Sequence, residues 1–488
     1  DYFEAYSNRG TLLRKLKNYG AAIENYNEAI KINPRFADAY NNKATVLMEL
    51  KEYSGASCYL KRAIALHPSL SQVYINLGIT SNDLGLYNLA IINLKRALQF
   101  TPHLTSIYDQ LASFSANNGE NQKSIRYQKK AIVLEPHYKA FYSKLAHTAQ
   151  KVNQYEVAKT LVIKELTMGI PNKLAYNDLG SIYNSLSKYQ LAIDNFKEAI
   201  KICPSYNDAI YNLGTTFFIL ARYEEALQNF EQINYKHSES RKLECLYFLK
   251  DKTIFEKEYI KIVKSTRLNS TLGSLGSHYQ LRYNTPLENP FCQDPLSYIQ
   301  KTRLNESDLF DENTIKDIRL YIRENKQNAR KQDLITNGWQ SKGNIFLEPL
   351  PFVSKIKAIV ESKLNSYYET YKESNEGFIR LWPRDYRLNG WLISLNSGGN
   401  LESHMHENGW LSGSIYINVP PKKNIMDGNL VTTLHGGIFP KLDREAPEKM
   451  IDVTTGDICL FPASLFHYTI PFESNQDRIV LAFDMEAR

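Results

Sequence analysis

Prolines fall at Pro34, Pro68, Pro102 and Pro136, each 34 residues after the last; Pro171 comes one residue late and Pro204 restores the phase. A period of this length, sustained over nearly half the chain, constrains the fold more than any other feature. A helix–turn–helix unit of that size cannot bury its apolar face alone, so successive units must stack into a solenoid. Small residues keep the same beat: Ala44, Gly78, Ala112, Ala146, Gly180 and Gly214 form one series. Ala22, Ala56 and Ala90 form another, taken up again at Ala158, Ala192 and Ala226 after a lapse at Ser124. Ala29, Ala63, Ala97 and Ala131 form a third, resumed at Ala199. Small side chains suit the close approach of two helices. Proline suits the position past the second helix, whose hydrogen-bond ladder it cannot continue.

Segments such as Tyr40-Asn41-Asn42-Lys43-Ala44 and Ala209-Ile210-Tyr211-Asn212-Leu213-Gly214 resemble the tetratricopeptide repeat. Seven units run from about Asp1 to about residue 240, so an α-solenoid is expected over 1–240. Most of its tyrosines and leucines are expected between helices. Asn42, Asn76 and Asn212 share one phase of the first helix, where amides suit the holding of an extended peptide backbone. This half reads as a binding surface for a protein or peptide, with nothing catalytic in it.

Residues 241–264 read as one or two helices capping the last unit. From Ser265 to about Pro295 the helical period is lost, with Gly273, Gly276, Pro286 and Pro290 as breakers, so 241–300 is expected to hold capping helices and a joint. One amphipathic helix follows an Asp311 cap through Ile315, Ile318, Leu320 and Ile322, and another spans about Phe352 to Tyr371. Beyond Gly377 come short β-type runs around residues 390–396, 413–419, 429–434, 450–453 and 457–461. Their regular spacing predicts a sandwich or jelly roll over about 380–488, inside a domain of 301–488. The fold class is α + β in separate domains. At 488 residues the chain exceeds one ordinary core.

The totals narrow the partners. No run approaches the ~18 apolar residues of a membrane span. Lys+Arg exceeds Asp+Glu by 59 − 52 = 7, scattered along the chain, which speaks against nucleic acid. Cys58, Cys203, Cys245, Cys292 and Cys459 show no paired spacing. They are expected as reduced thiols in a cytoplasmic protein. The sequence opens on Asp1 rather than Met, which leaves the native N-terminus open, a removed signal peptide included.

The chemistry concentrates between His404 and Arg478. Ser403-His404-Met405-His406-Glu407-Asn408-Gly409-Trp410 carries two histidines two residues apart, which an extended chain points to one face. Gly456-Asp457-Ile458-Cys459-Leu460-Phe461-Pro462 follows, then His467, then Arg478 on a further apolar strand. Two near histidines, a distant third and a downstream cation suggest an open iron site with an anionic co-substrate.

Taken together with Trp410-Leu-Ser-Gly-Ser-Ile-Tyr-Ile-Asn-Val-Pro420, this order resembles the double-stranded β-helix of the 2-oxoglutarate/iron(II)-dependent oxygenases. The branch it resembles often carries tetratricopeptide repeats. The resemblance covers about residues 380–488. It implies Fe(II), 2-oxoglutarate and O2, with the co-substrate decarboxylated to succinate and CO2 as a C–H bond is hydroxylated. His404 would be the first ligand and His467 the distal one. Arg478 would clamp the far carboxylate of 2-oxoglutarate with its planar fork. No catalytic residue is expected beyond the metal centre.

The middle ligand departs from the family pattern. A carboxylate usually stands two residues after the first histidine, and here the position holds His406. Three readings stay open: His406 ligates by parity, Glu407 reaches the iron through a kink, or the iron has only two protein ligands, which resembles the aspartyl/asparaginyl β-hydroxylases. Ser412, Ser414, Tyr416 and Asn418 share one face of the next strand, with Ser414 and Tyr416 as co-substrate contacts and Ser412 and Asn418 as supporting groups. Trp391 and Trp410 are expected to wall the pocket, and His435 to face substrate or rival the ligands. The leading expectation is hydroxylation of a protein or peptide held by the repeats. The alternatives are a repeat scaffold with an inactive β-domain, an oxygenase of small molecules, and a cupin-like site holding another divalent metal on His404, His406 and His467.

Overall fold

The computed structural model describes residues 2–487 except Gly119, Ile170, Pro171, Lys236, Thr266, Arg267, Ser307, Leu309, 327–333, Lys342, Gly343, Pro349 and Ile438. Asp1 and the late Pro171 of the repeat pattern thus lie outside the described residues. The chain forms two compact units, residues 1–216 and 217–488.

The first unit is a solenoid of paired helices, beginning with Tyr2–Lys15 and Tyr19–Ile32. Its turns explain the proline beat. After the second helix of four units the chain passes through the proline, whose carbonyl accepts a bond from a tyrosine six residues on: Tyr40 to Pro34 at 3.2 Å, Tyr74 to Pro68 at 3.0 Å, Tyr108 to Pro102 at 3.1 Å and Tyr142 to Pro136 at 2.9 Å. Tight turns between paired helices place Lys17, Lys51, Gly85, Asn153 and Ser187 in the left-handed region. These also keep the 34-residue beat, but Lys17, Lys51 and Ser187 do not advertise the conformation as Gly85 and Asn153 do. Gly180 serves close approach instead, since a Cβ there would stand 2.6 Å from the Phe196 ring.

The asparagines expected to grip a peptide are committed elsewhere. Asn76 Nδ2 donates to Asn41 at 2.8 Å and Asn212 Nδ2 to Asn177 at 2.9 Å, while Asn42 Nδ2 reaches Ser7 at 3.5 Å. Lys144 meets Asp109 in the same way at 2.7 Å. Each bond joins a first helix to the equivalent helix of the next unit, 35 residues on. Burial between repeats forces the amides to satisfy one another.

In the second unit the stretch expected to be a joint contains a helix, Ser270–Tyr283, capped by Asn269, whose side chain accepts from the Leu272 N–H at 2.9 Å. Gly273 and Gly276 lie inside it and break nothing. A Cβ at Gly273 would stand 2.9 Å from Phe291, and one at Gly276 2.4 Å from the Tyr259 hydroxyl. Residues 270–279 are all buried, so the helix shows no polar face and no apolar stripe for a periodicity argument to find. It shares a core with Leu243, Tyr247, Phe255 and Tyr259 of the preceding helices and with Phe439 and Phe466 of the β region. Farther on, Asp311 caps the Glu312–Lys326 helix, accepting from Thr314 N–H at 2.8 Å, and the Pro351–Tyr371 helix follows.

Nine strands are formed among the described residues: β1 (Gln300–Arg303), β2 (Ile335–Gln340), β3 (Tyr386–Leu401), β4 (Leu411–Asn418), β5 (Leu430–Thr433), β6 (Glu448–Ile451), β7 (Asp457–Pro462), β8 (Phe466–Thr469) and β9 (Arg478–Ala487). They make a six-stranded sheet in the order β1-β7-β4-β9-β3-β2 and a three-stranded one, β6-β5-β8, all antiparallel pairs. β1 and β2 come from before residue 380 and form the edges, where the polar Gln300-Lys-Thr-Arg is tolerated. The two faces of the large sheet sort by parity. Ile415, Ile417, Ile479, Leu481 and Phe483 join the core containing the Pro351–Tyr371 helix. Tyr416 and Val480 point the other way, to a core shared with Leu430 and Ile451 of the small sheet. No helix among the described residues is long and apolar enough to cross a membrane.

Candidate metal centre

Between the sheets lies a cavity of about 320 Å³, lined by His404, His406, His467, Trp391, Ser414, Tyr416, Arg478 and Asp484 among others. His404 and His467, 63 residues apart in sequence, are joined main chain to main chain: His404 N–H donates to His467 O at 3.1 Å and His467 N–H to His404 O at 2.8 Å. That bridge brings the two imidazole centres to 4.3 Å, and His406 sits 5.1 Å from each. One ring nitrogen of each histidine lies within 4.8 Å of the others, the metal-competent cluster among the described residues.

Each ring also has an acceptor at Nδ1. His404 meets Glu402 O at 2.8 Å, His467 meets Leu465 O at 3.4 Å, and His406 makes a short contact with Asp484 Oδ2. An acceptor at Nδ1 holds the proton there and leaves Nε2 free as a ligand atom. Burial lowers the His404 pKa to about 4 and holds His467 well below the ordinary range, with the neighbouring imidazoles adding to both. For His406 burial also works downward, but Asp484 reverses the direction and raises it. Burial thus favours neutral His404 and His467, the form a metal ligand takes, and a third imidazole stands close enough to share one divalent ion.

Glu407 is turned away to the rim. Its Oε2 takes Arg241 Nη2 at 2.7 Å, and Ser270 Oγ donates to the carbonyls of His406 at 3.0 Å and Glu407 at 2.9 Å. The helix that begins at Ser270 therefore fixes the loop carrying His406. Arg241 also meets the buried Glu244 at 2.9 Å, whose carboxyl burial raises to about 7.

Arg478 opens β9 and is 3% exposed. Its guanidinium stands 5.2 Å from the centre of the Tyr416 ring, its Nε has no partner, and no ion pair reaches it among the described residues. Burial works against its charge. A buried cation that lines a cavity and has no ion-pair partner among the described residues calls for an anion.

The other expected site residues divide. Trp391 lines the cavity and stands edge-on to His406, ring centres 5.7 Å apart. Ser414 and Tyr416 line it too. Ser412 does not; it donates to Asp484 Oδ1 at 2.7 Å. Asn418, at the strand end, donates to Asp477 O at 2.5 Å. Trp410 is no wall of this cavity: it is packed in the helix-side core, its Nε1–H on Phe378 O at 2.8 Å. His435 is neither a ligand rival nor loose. Its Nδ1 lies 2.8 Å from Nε2 of the buried His278, whose Nδ1 meets the Tyr247 hydroxyl at 2.6 Å. Sequence reasoning missed Asp484, although counting by twos from Arg478 along β9 puts it on the cavity face.

Comparison with known proteins fits this geometry. Residues 389–484 match a family described as "Putative 2OG-Fe(II) oxygenase", and tetratricopeptide-repeat families match residues 3–36 and 180–220. No curated protein matches the sequence. Among the solved structures that align with it are repeat proteins. One is the C-terminal part of a TPR repeat-containing protein from Cytophaga hutchinsonii, with 18% identity, 48% of this chain, 98% of that one and a TM-score of 0.43. Another is a tetratricopeptide repeat protein from Parabacteroides merdae, with 12% identity, 54% and 99% coverage and a TM-score of 0.39. A third is YrrB, a TPR protein with an unusual peptide-binding site, with 18% identity, 38% and 95% coverage and a TM-score of 0.35.

Proposed function

We propose, for a chain that joins tetratricopeptide repeats to a 2OG-Fe(II) oxygenase region, that its second unit binds Fe(II) and 2-oxoglutarate and hydroxylates a protein or peptide held by the repeats. The observation that carries this reading is Arg478, a buried cation with an unpartnered Nε on the wall of the cavity that holds the three histidines. His404, His406 and His467 would hold the metal through Nε2, their Nδ1 atoms being engaged. Fe(II), when bound, supplies the O2 activation that couples decarboxylation of 2-oxoglutarate to attack on a C–H bond. Arg478 binds the far carboxylate as a bidentate, permanently charged fork. Trp391, Ile393, Leu395, Leu430 and Val480 line the cavity with apolar surface and limit water. The repeats raise the effective concentration of a tethered substrate at the metal. This part rests on the ordinary use of such repeats, since the asparagines first assigned to peptide holding are spent on neighbouring units.

Anaerobic addition of Fe(II) and then 2-oxoglutarate tests the reading. The visible charge-transfer band of the chelate is expected in the wild type, lost in His467→Ala and weakened in Arg478→Ala. A folded wild type that gives no band would instead indicate a repeat scaffold with an inactive β-domain. Incubation with captured peptides should add the mass of one oxygen atom; oxygen gained only by free metabolites would move the substrate class to small molecules.

A further inference from the structure

Non-haem iron(II) oxygenase sites ordinarily pair two histidines with a carboxylate; the cluster here is three histidines, and the buried Asp484 lies behind one of them. It is 3% exposed and held in the middle of the large sheet, paired in register with Ser412 on β4 and Asn389 on β3. One oxygen accepts from Ser412 Oγ at 2.7 Å and the other contacts His406 Nδ1. No lysine or arginine reaches it; its ion-pair partner among the described residues is the His406 ring. A carboxylate this deep costs free energy unless positive charge lies nearby. Such charge can stand on the His406 ring itself or on its far side, where the three ligand nitrogens converge.

The geometry points to Asp484 as a positioning residue that supplies the missing anionic character of the metal centre through His406, resting on the metal-binding reading above. By accepting the Nδ1 proton it fixes the tautomer and raises the basicity of Nε2, so that a third imidazole acts in place of the usual carboxylate ligand. Ser412 holds the second oxygen and sets the angle of the first.

Metal binding without turnover tests this. Co(II) is titrated anaerobically into wild type, Asp484→Asn and Ser412→Ala, with affinity and the visible ligand-field spectrum as readouts and circular dichroism and Tm as the check on folding. Asp484→Asn keeps the shape and removes the charge; it should weaken Co(II) binding about 10- to 100-fold and shift the spectrum, with Ser412→Ala falling between. A second pair keeps the test independent of any loss of stability. His406→Asp restores a carboxylate at the family position but sets it beside Asp484, so the double variant His406→Asp/Asp484→Asn should bind Co(II) more tightly than His406→Asp alone. A purely structural Asp484 gives no such change of sign. Wild-type affinity and spectrum in Asp484→Asn, or a double variant weaker than the single one, overturn the proposal. A wild type that binds no Co(II) overturns the metal-centre reading itself, and this inference with it.

Discussion

Asn76 in the solenoid and Arg478 in the β unit are buried to a similar degree, 7% and 3% exposed, and they behave in opposite ways. Asn76 donates to Asn41 of the preceding repeat and accepts from Gln72 at 3.0 Å, so both ends of its amide are engaged. Arg478 has an Nε with no partner and lies on the wall of a cavity. Asn76 is closed on its neighbours, although other buried atoms of the repeats, Ser115 Oγ and Gln128 Oε1 among them, have no partner. Arg478 differs from those in carrying charge and in lining a cavity. An unpartnered buried group therefore marks binding where it is a charged group on a cavity wall, and not by being unpartnered alone.

Three substitutions probe that difference. Arg478→Gln should weaken 2-oxoglutarate binding to the Fe(II)-loaded protein about 100-fold, in line with loss of a buried charge contact. Because no carboxylate partner is orphaned, the urea midpoint of the second unit should not fall. A drop in stability with unchanged 2-oxoglutarate affinity would erase the contrast. Asn76→Ala should do the reverse, lowering solenoid stability by about 1–3 kcal/mol in a urea melt, because it leaves the buried Asn41 amide oxygen unmatched, while metal and 2-oxoglutarate binding stay put. The smallest effect is a gain. Ser187 holds φ 55° in a helix–helix turn. Ser187→Gly relieves that conformation and should stabilise the solenoid by about 1 kcal/mol, read as a rise in Tm.

What could be read from the sequence follows from the same distinction. Repetition made the solenoid visible, since Pro, Ala and Gly recur in series at or near 34-residue intervals. The left-handed turn positions keep the same interval but include Lys17, Lys51 and Ser187, which do not announce the backbone they adopt. His404, His406, His467 and Arg478, which the structure gathers on one cavity, stand out because their order in the chain is distinctive. Asp484 does not, since a lone aspartate in an apolar strand has no pattern of its own. The Ser270–Tyr283 helix was hidden because burial on all sides removes the amphipathic signal, and its two glycines mimic a loop. Trp410 misled for the opposite reason: proximity to His406 in sequence suggested the cavity, while the residue precedes β4 and packs in the other core with its Nε1–H on Phe378 O.

That hidden helix decides where the chain can be cut. The family match begins at residue 389, which invites a short excised fragment. Such a fragment would leave behind Ser270, whose hydroxyl holds the carbonyls of His406 and Glu407, and Arg241, which restrains the Glu407 side chain. It would also strip the cover from Phe439 and Phe466. The portable piece of this protein is therefore set by shared packing and not by kinship in sequence, and a transplant meant to carry the three histidines intact has to begin ahead of Arg241.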